Sequence, residues 1–250
     1  MTIMPTIPAP GDRTAALTGL TISELDHVAR RLTPQQRCRR GRPPSLTHHD
    51  RVLLVVTALR TNLTERALAA IFRTSQSTVH RTIRNLLPRL AALLDTSRPG
   101  EPLILDGTLI PVHDQALTAP SKNYRRSINT QILTTASSRR VVDITAPTPG
   151  NRNDIIAARR TVPDLSSHPH PVYADGAYRA LPGAHTPPPR TEPRARRRHR
   201  RIRARIEHVI ARLKDWQILR QCRRRGPAIG FALRAVAYLY NVRLDLRLNS

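Results

Sequence analysis

The chain has 250 residues and carries 42 Lys plus Arg against 17 Asp plus Glu, a formal net charge of +25. Hydrophobic residues make up 39% and aromatics 3%, so a core is affordable but must be built from Leu, Ile, Val and Ala. Two cysteines far apart, Cys38 and Cys222, exclude a disulfide scaffold and a cysteine-based zinc site, and no apolar run approaches the ~20 residues that span a membrane.

Cysteine usage fits a reducing cytosol, and the opening MTIMPTIPAPG lacks the basic and apolar regions of a secretory signal. Only Lys122 and Lys214 are lysines; the remaining basic residues are arginines. Such a charge repels itself in a compact state unless a polyanion is the working partner, which makes nucleic acid the leading partner class.

Pro5, Pro8 and Pro10 make residues 1–16 read as a disordered leader. Residues 21–32 read as a short helix, with Thr21 at its N-cap, Glu24 three residues on, and Leu25, Val28 and Leu32 as the apolar stripe. The basic Gly/Pro stretch RCRRGRPPS, residues 37–45, is either a solvated connector or an arm on the DNA backbone. Residues 1–45 thus form a leader, short helix and linker ahead of a helical domain at 46–98.

In that domain Thr47 caps a helix carrying Val52–Val56 and Leu59, and Thr64 caps a second with Leu68 and Ile71 inward. A turn at 72–75 leads to a third helix, capped by Ser75 or Ser77, with Val79, Ile83, Leu86 and Leu87 inward. Two short helices joined this way form a helix-turn-helix, whose second helix enters the major groove with its N-terminal residues forward. Gln76, Thr78, His80, Arg81 and Arg84 then face bases and phosphates. A plain three-helix bundle with a polar surface is the competing reading. Residues 96–101 read as a linker.

Beyond it the period changes. Residues 102–112 read as a strand broken by Asp106-Gly107, and 127–135 and 140–145 as two more strands joined by a hairpin-like turn. Residues 150–154 form a turn before a helix over 155–161, and 171–178 a fourth strand ending at Asp175-Gly176. The Pro-rich, then Arg-rich residues 182–201 read as an irregular connection, followed by a long helix over 202–220 and a last helix over 228–244. Strands, a crossover helix and then covering helices describe an α/β layer over residues 99–250.

LILDG at 103–107 and VYADG at 172–176 each place an Asp after an apolar run and beside a glycine. Carboxylates at the C-terminal ends of neighbouring strands converge on one crevice, where they repel each other unless a cation neutralises them. Hard oxygen donors and a phosphate substrate point to Mg²⁺ or Mn²⁺, and a two-ion pair clamps the attacking and leaving oxygens of a phosphodiester displacement. Strand termination by Asp-Gly turns is the competing reading. Glu207 lies outside the apolar stripe of its helix, either as an exposed partner of Arg203 or Arg212 or as a third carboxylate. The arginine run at 193–205, including Arg197, Arg198, Arg200 and Arg201, is suited to phosphate contacts near the site. His113 and Asp114 read as a surface turn, and Lys122, Tyr124 and Arg125 as candidate phosphate contacts.

LILDGTLIPV, GNRNDIIAARR, VYADGAY and RARIEHVIARLKDWQILRQCRRRG resemble the catalytic core of DDE-type insertion-sequence transposases, and the helix-turn-helix resembles the module these proteins carry ahead of it. The resemblance covers residues ~20–245; its most specific part is the helix with Arg203, Glu207 and His208 followed by Lys214, Trp216 and an Arg cluster. It implies an RNase H-like mixed sheet flanked by helices, with Asp106, Asp175 and Glu207 as catalytic residues binding two Mg²⁺ ions. Asp154, Arg203 and Lys214 are accessory candidates. Relatives often carry His-Asp where this chain has Asn153-Asp154, and a lysine between the Asp and Gly of the second motif.

The implied activity is cleavage at the terminal inverted repeats of a mobile element and transfer of the 3′ ends into target DNA. The implied setting is the bacterial cytosol and nucleoid, as a homodimer or larger assembly on double-stranded DNA. Two alternatives stay open: a helix-turn-helix transcription regulator with a non-catalytic α/β domain, and a nuclease of the same fold that does not integrate.

Overall fold

The computed structural model describes residues 10–32, 45–97, 100–120 and 126–248. The N-terminal part is helical: α1 (Pro10–Thr18), α2 (Ile22–Arg31), α3 (His48–Thr61), α4 (Glu65–Ile71) and α5 (Gln76–Ala92). Four of these starts are capped by the residues the sequence offers, Thr21, Thr47, Thr64 and Ser75, each accepting from a backbone N–H of the first turn. At α2 the cap is reciprocal: Glu24 Oε2 accepts from the Thr21 N–H at 2.7 Å.

The leader differs from expectation. Pro10 stands at the first position of α1, where its missing N–H costs nothing, and the helix buries Thr14 and Thr18 against α2 and α3. The part of the predicted leader at 1–9, and the basic stretch at 37–44 with Cys38, lie outside the described residues, as do Lys122, Tyr124 and Arg125.

The second part is a seven-stranded mixed sheet: β1 (Leu103–Pro111), β2 (Ala119–Pro120), β3 (Arg126–Thr135), β4 (Val141–Ile144), β5 (Thr148–Pro149), β6 (Val172–Tyr173) and β7 (Ala184–His185). β1 pairs antiparallel with β3 along its whole length, and β2, β4 and β5 pair with the other edge of β3. On its other side β1 pairs parallel with β6, which pairs parallel with β7. The covering helices are α6 (Asp154–Thr161), α7 (Pro193–Leu213) and α8 (Pro227–Leu248). This is an RNase H-like mixed sheet flanked by helices, preceded by a helical region. Among the described residues no helix is long and apolar enough to cross a membrane.

Three elements depart from the sequence reading. β1 is not broken at Asp106-Gly107, because β3 pairs with it as far as Pro111. The predicted fourth strand shrinks to two residues: Asp175 Oδ1 accepts from the Ala177 N–H at 2.8 Å, and this turn diverts the chain into a 3₁₀ turn over Gly176–Tyr178. The arginine run is helix rather than irregular connection: Pro193 opens α7, and arginine is a good helix former. α7 also ends at Leu213, ahead of the predicted residue 220.

The period-2 alternation of β1 divides the core. Leu103 and Leu105 face α6 with Leu133, Ala158, Val172 and Tyr178, whereas Ile104 meets Ile206 of α7. The largest apolar cluster joins the N-terminal helices, Ile110, Val209 and the length of α8 into one core, with α8 packed along α5. The boundary drawn at 98/99 therefore separates elements that bury their apolar faces against each other. Segment 45–97 expressed alone is expected to show helical circular dichroism but to bind a hydrophobic dye and melt broadly, while the full chain melts cooperatively. A sharp transition without dye binding in the excised segment would mean that the seam with α8 is dispensable.

Candidate active site and nucleic-acid interface

Two strands with different lengths of pairing create the site. The β1–β6 register, Leu103 opposite Val172 and Ile104 opposite Tyr173, is the whole of their ladder. Two residues further along each segment stand Asp106 and Asp175, close enough for the Asp175 charge to act on the Asp106 carboxyl, where β6 turns away and β1 continues. Asp106 shares the α7 face of β1, and Arg203 of α7 reaches it, Nη2 to Oδ2 at 3.5 Å. The Asp106 side chain is 20% exposed. Its carboxyl is raised to about 6, chiefly by burial; the Arg203 charge and the Gly107 N–H work against that rise, and Asp175 and Asp154 add to it.

Gly107 faces the other way, toward α6. A Cβ there would stand 2.6 Å from Asp154 Oδ1 and 3.0 Å from the Tyr178 hydroxyl. The glycine of the first Asp-Gly pair thus gives Asp154, the first residue of α6, room to touch β1. Asn129 Nδ2 donates to Asp154 Oδ1 at 2.7 Å, Gln131 Nε2 donates to Asn129 Oδ1 at 3.0 Å, and the Tyr178 hydroxyl donates to Gln131 Oε1. Sequence reasoning missed this buried chain. Asn129 and Gln131 share one face of β3 at a spacing of two, flanked by Ile128 and Ile132, a pattern that reads as a solvent face, yet they are 2% and 0% exposed. Burial, then Asp154, Asp106 and Asp175, hold the Tyr178 hydroxyl above its ordinary range, so it stays a neutral donor.

Glu207 is exposed on α7, one turn beyond Arg203 on the same side of the helix. Among the described residues no group of three or more His, Cys, Asp or Glu side chains is set to hold a metal ion. The structure thus brings Asp106, Asp154, Asp175 and Arg203 into mutual electrostatic range and leaves Glu207 beside them rather than among them. Lys214 ends α7, half-buried, with burial lowering its pKa.

The arginine run forms a surface of its own. Arg194, Arg197, Arg198, Arg201 and Arg205 recur at helical spacing and line a cleft of about 620 Å³ with Ser137 and Tyr173. Arg200 is exposed outside it.

The turn between α4 and α5 puts Arg73 at φ 49°, and Ser75 caps α5. Gln76, His80, Arg81 and Arg84 are exposed on α5. Thr78 is half-buried and folded back on its own cap, Oγ1 2.9 Å from Ser75 Oγ. His80 meets Glu65 of α4 at 3.2 Å, and Arg81 Nε donates to the Ser77 carbonyl.

The two Asp-Gly glycines predict different sensitivities. Gly107→Ala is expected to cost about 1–3 kcal/mol in denaturant unfolding, since its methyl meets Asp154 and Tyr178. Gly176→Ala is expected to leave stability unchanged, because a Cβ there meets nothing within 4 Å. Equal costs at both positions would contradict the packing at Gly107.

Comparison with known proteins agrees with this geometry. A family model described as "Transposase DDE domain" matches residues 97–242, and one described as "Helix-turn-helix of DDE superfamily endonuclease" matches residues 44–96. A protein of Streptomyces albus G named "Putative transposase for insertion sequence element IS112" is 39% identical over 219 residues, spanning 82% of this chain and 84% of its own. With its mixed sheet, its aspartates in and just beyond neighbouring strands and its N-terminal helix-turn-helix, the chain belongs to the DDE transposase family.

Proposed function

We propose that this transposase grips the terminal inverted repeats of its element through α5 and cuts and transfers DNA strands at Asp106, Asp175 and Glu207, with Asp154, Arg203 and Lys214 as accessory groups. The single observation that carries the reading is the β1–β6 register, which leads Asp106 and Asp175 to the same point of the sheet. α7 supports it further, since Arg203 meets Asp106 and Glu207 follows one turn later.

Divalent magnesium or manganese fits these side chains in kind. The carboxylates offer hard oxygens, and burial holds the Asp106 carboxyl up to about 6, a cost that a bound cation offsets. Asp106, Asp175 and Glu207 would hold two such ions, which supply charge stabilisation for the attacking and leaving oxygens of a phosphodiester displacement. Arg203 balances the Asp106 charge and presents its guanidinium where a phosphate would lie. Arg197, Arg198, Arg200 and Arg201 carry the DNA backbone along α7. On α5, Gln76, Thr78 and His80 face base edges while Arg81 and Arg84 hold phosphates, Thr78 Oγ1 lying 2.9 Å from Oγ of the Ser75 cap. The working form is a homodimer or larger assembly on DNA in the bacterial cytosol.

Binding by the full chain is expected to weaken with salt, log affinity falling with log salt at roughly −0.9 per neutralised phosphate. Arg84→Ala lowers affinity for all sequences alike, whereas Gln76→Ala changes sequence preference. Gel shifts across a salt series read both, and unchanged binding in the two variants would remove α5 as the reading helix.

Asp106→Asn, Asp175→Asn and Glu207→Gln are each expected to abolish divalent-cation-dependent cleavage of an inverted-repeat duplex while leaving its gel shift intact. Each keeps side-chain size and removes one negative charge. Because the three act as a unit, Asp106→Asn/Asp175→Asn is little worse than either single change. Near wild-type cutting by Glu207→Gln would remove Glu207 from the set and strengthen the reading of the helix as an ion-paired surface.

A further inference from the structure

We infer that Tyr178, Gln131 and Asn129 form a directional hydrogen-bonded chain that positions Asp154 as a working carboxylate of the strand-cutting site; the inference rests on the cleavage reading given above.

The chain has a single consistent order. Asp154 Oδ1 only accepts when ionised, so Asn129 must turn Nδ2 toward it, at 2.7 Å. Asn129 Oδ1 then faces Gln131, which must present Nε2, at 3.0 Å. That leaves Gln131 Oε1 to accept from the Tyr178 hydroxyl, the donor at the end of the chain. Asn129 Nδ2 also donates to the Arg152 carbonyl at 3.2 Å, which ties the turn before α6 to the same amide. Gln131 and Tyr178 are both fully buried, so neither can exchange its partner for water. Without the tyrosine hydroxyl, Gln131 either leaves Oε1 unpaired or turns it against Asn129 Oδ1, and the order is lost.

What the chain holds lies against the site. Asp154 comes to β1 at Gly107, the residue after Asp106, where the absence of a side chain lets it approach. It is half-buried, and its charge is felt by both Asp106 and Tyr178. One carboxylate oxygen is thus engaged by a fixed amide. A purely structural acceptor at this point needs no charge, whereas a carboxylate working with Asp106 and Asp175 needs one.

Two variants separate these roles. Asp154→Asn can still accept from Asn129 through its amide oxygen and lacks only the charge. Tyr178→Phe lacks only the hydroxyl. The probe is Mn²⁺ alone, read by thermal shift of the full chain, alongside Mn²⁺-dependent cleavage of an inverted-repeat duplex. In EDTA Asp154→Asn is expected to melt close to wild type and Tyr178→Phe somewhat lower, and both are expected to need about 10–100-fold more Mn²⁺ for half of the stabilising shift, with cleavage following the same displacement. Asp106→Asn is the reference and is expected to lose the Mn²⁺ shift and cleavage together. If Asp106→Asn loses both while Asp154→Asn and Tyr178→Phe match wild type, the positioning chain is refuted and the cleavage reading stands. A Tyr178→Phe protein that melts lower in EDTA but responds to Mn²⁺ as wild type makes the chain structural, which also overturns the inference. Wild-type shift and cleavage in Asp106→Asn overturns the cleavage reading, and this inference with it.

Discussion

The geometry of this molecule depends on β1 having two neighbours of unequal length. β3 holds it for nine consecutive pairs, so its backbone is fixed well past Asp106. β6 holds it for two and then leaves, diverted by the Asp175 turn. A gap opens on that side of a strand that cannot itself bend away, and polar side chains collect there because no ladder or apolar packing fills it. The strict alternation of β1 then distributes neighbours to two faces: Asp106 toward Arg203 of α7, Gly107 toward Asp154 of α6. Shifting β1 by one residue relative to β3 would exchange these faces and bury Asp106 among Leu133, Val142 and Ala158.

Charge sets the second constraint. With so many more basic than acidic residues, each carboxylate has a choice of partners, and several are used to tie elements together. Asp143 of β4 pairs with Arg234 of α8, and Asp245 of α8 with Arg140 ahead of β4. Glu65 of α4 takes Arg224 at 3.1 Å as well as His80. The three arginine pairs are partly buried and hydrogen-bonded, unlike the exposed Arg212–Asp215 pair at 3.8 Å, which contributes little. The carboxylates are thereby spent on joints, and the arginines of α7 and α5 present an excess of positive surface whose natural complement is a phosphate backbone.

How much of this the sequence disclosed follows from the range of the forces involved. Thr21, Thr47, Thr64 and Ser75 were legible as caps because capping is decided within four residues, and the alternating strands because burial on one face imposes period 2. VYADGAY forms less strand than its apolar run suggests, because a side-chain turn at Asp175 ends β6 after Tyr173. Residues 193–201 were underread: charge density suggested an irregular stretch, but arginine stems can lie along a groove while their heads stay in water. α1 is hidden by the prolines at and before its start, of which Pro10 takes the first helical position. The two aspartates stand out in the sequence by the apolar run before each and the glycine after it, although Asp106 lies within β1 and not at its end; Asn129, Gln131 and Tyr178 do not stand out, because a polar residue in a strand points to solvent or to a buried partner with the same spacing, and only the partner's position decides.

The packing of α8 joins the two halves of the molecule into one mechanical unit. It lies along α5 on one side and against β4 on the other, where Asn241 closes both hydrogen bonds of Val141, at 2.9 and 2.8 Å. A further tie crosses the same seam, Asn62 Nδ2 donating to the Gln221 carbonyl at 2.6 Å, and within the second half the Gly226 N–H donates to Asp114 Oδ2 at 2.8 Å. Cys222 bridges to Val112, immediately beyond the end of β1. α5 is therefore not tethered by a free linker; its orientation relative to β1 is determined by buried apolar surface and paired backbone. Under the function proposed above, a duplex on the exposed face of α5 would be held at a fixed offset from Asp106, so the DNA sequence read and the phosphodiester cut would be related by the packing between them. The spacing between bound sequence and cut site would then be a property of the α5–α8–β4 stack, and substitutions in that stack would act on the accuracy of cutting as well as on stability.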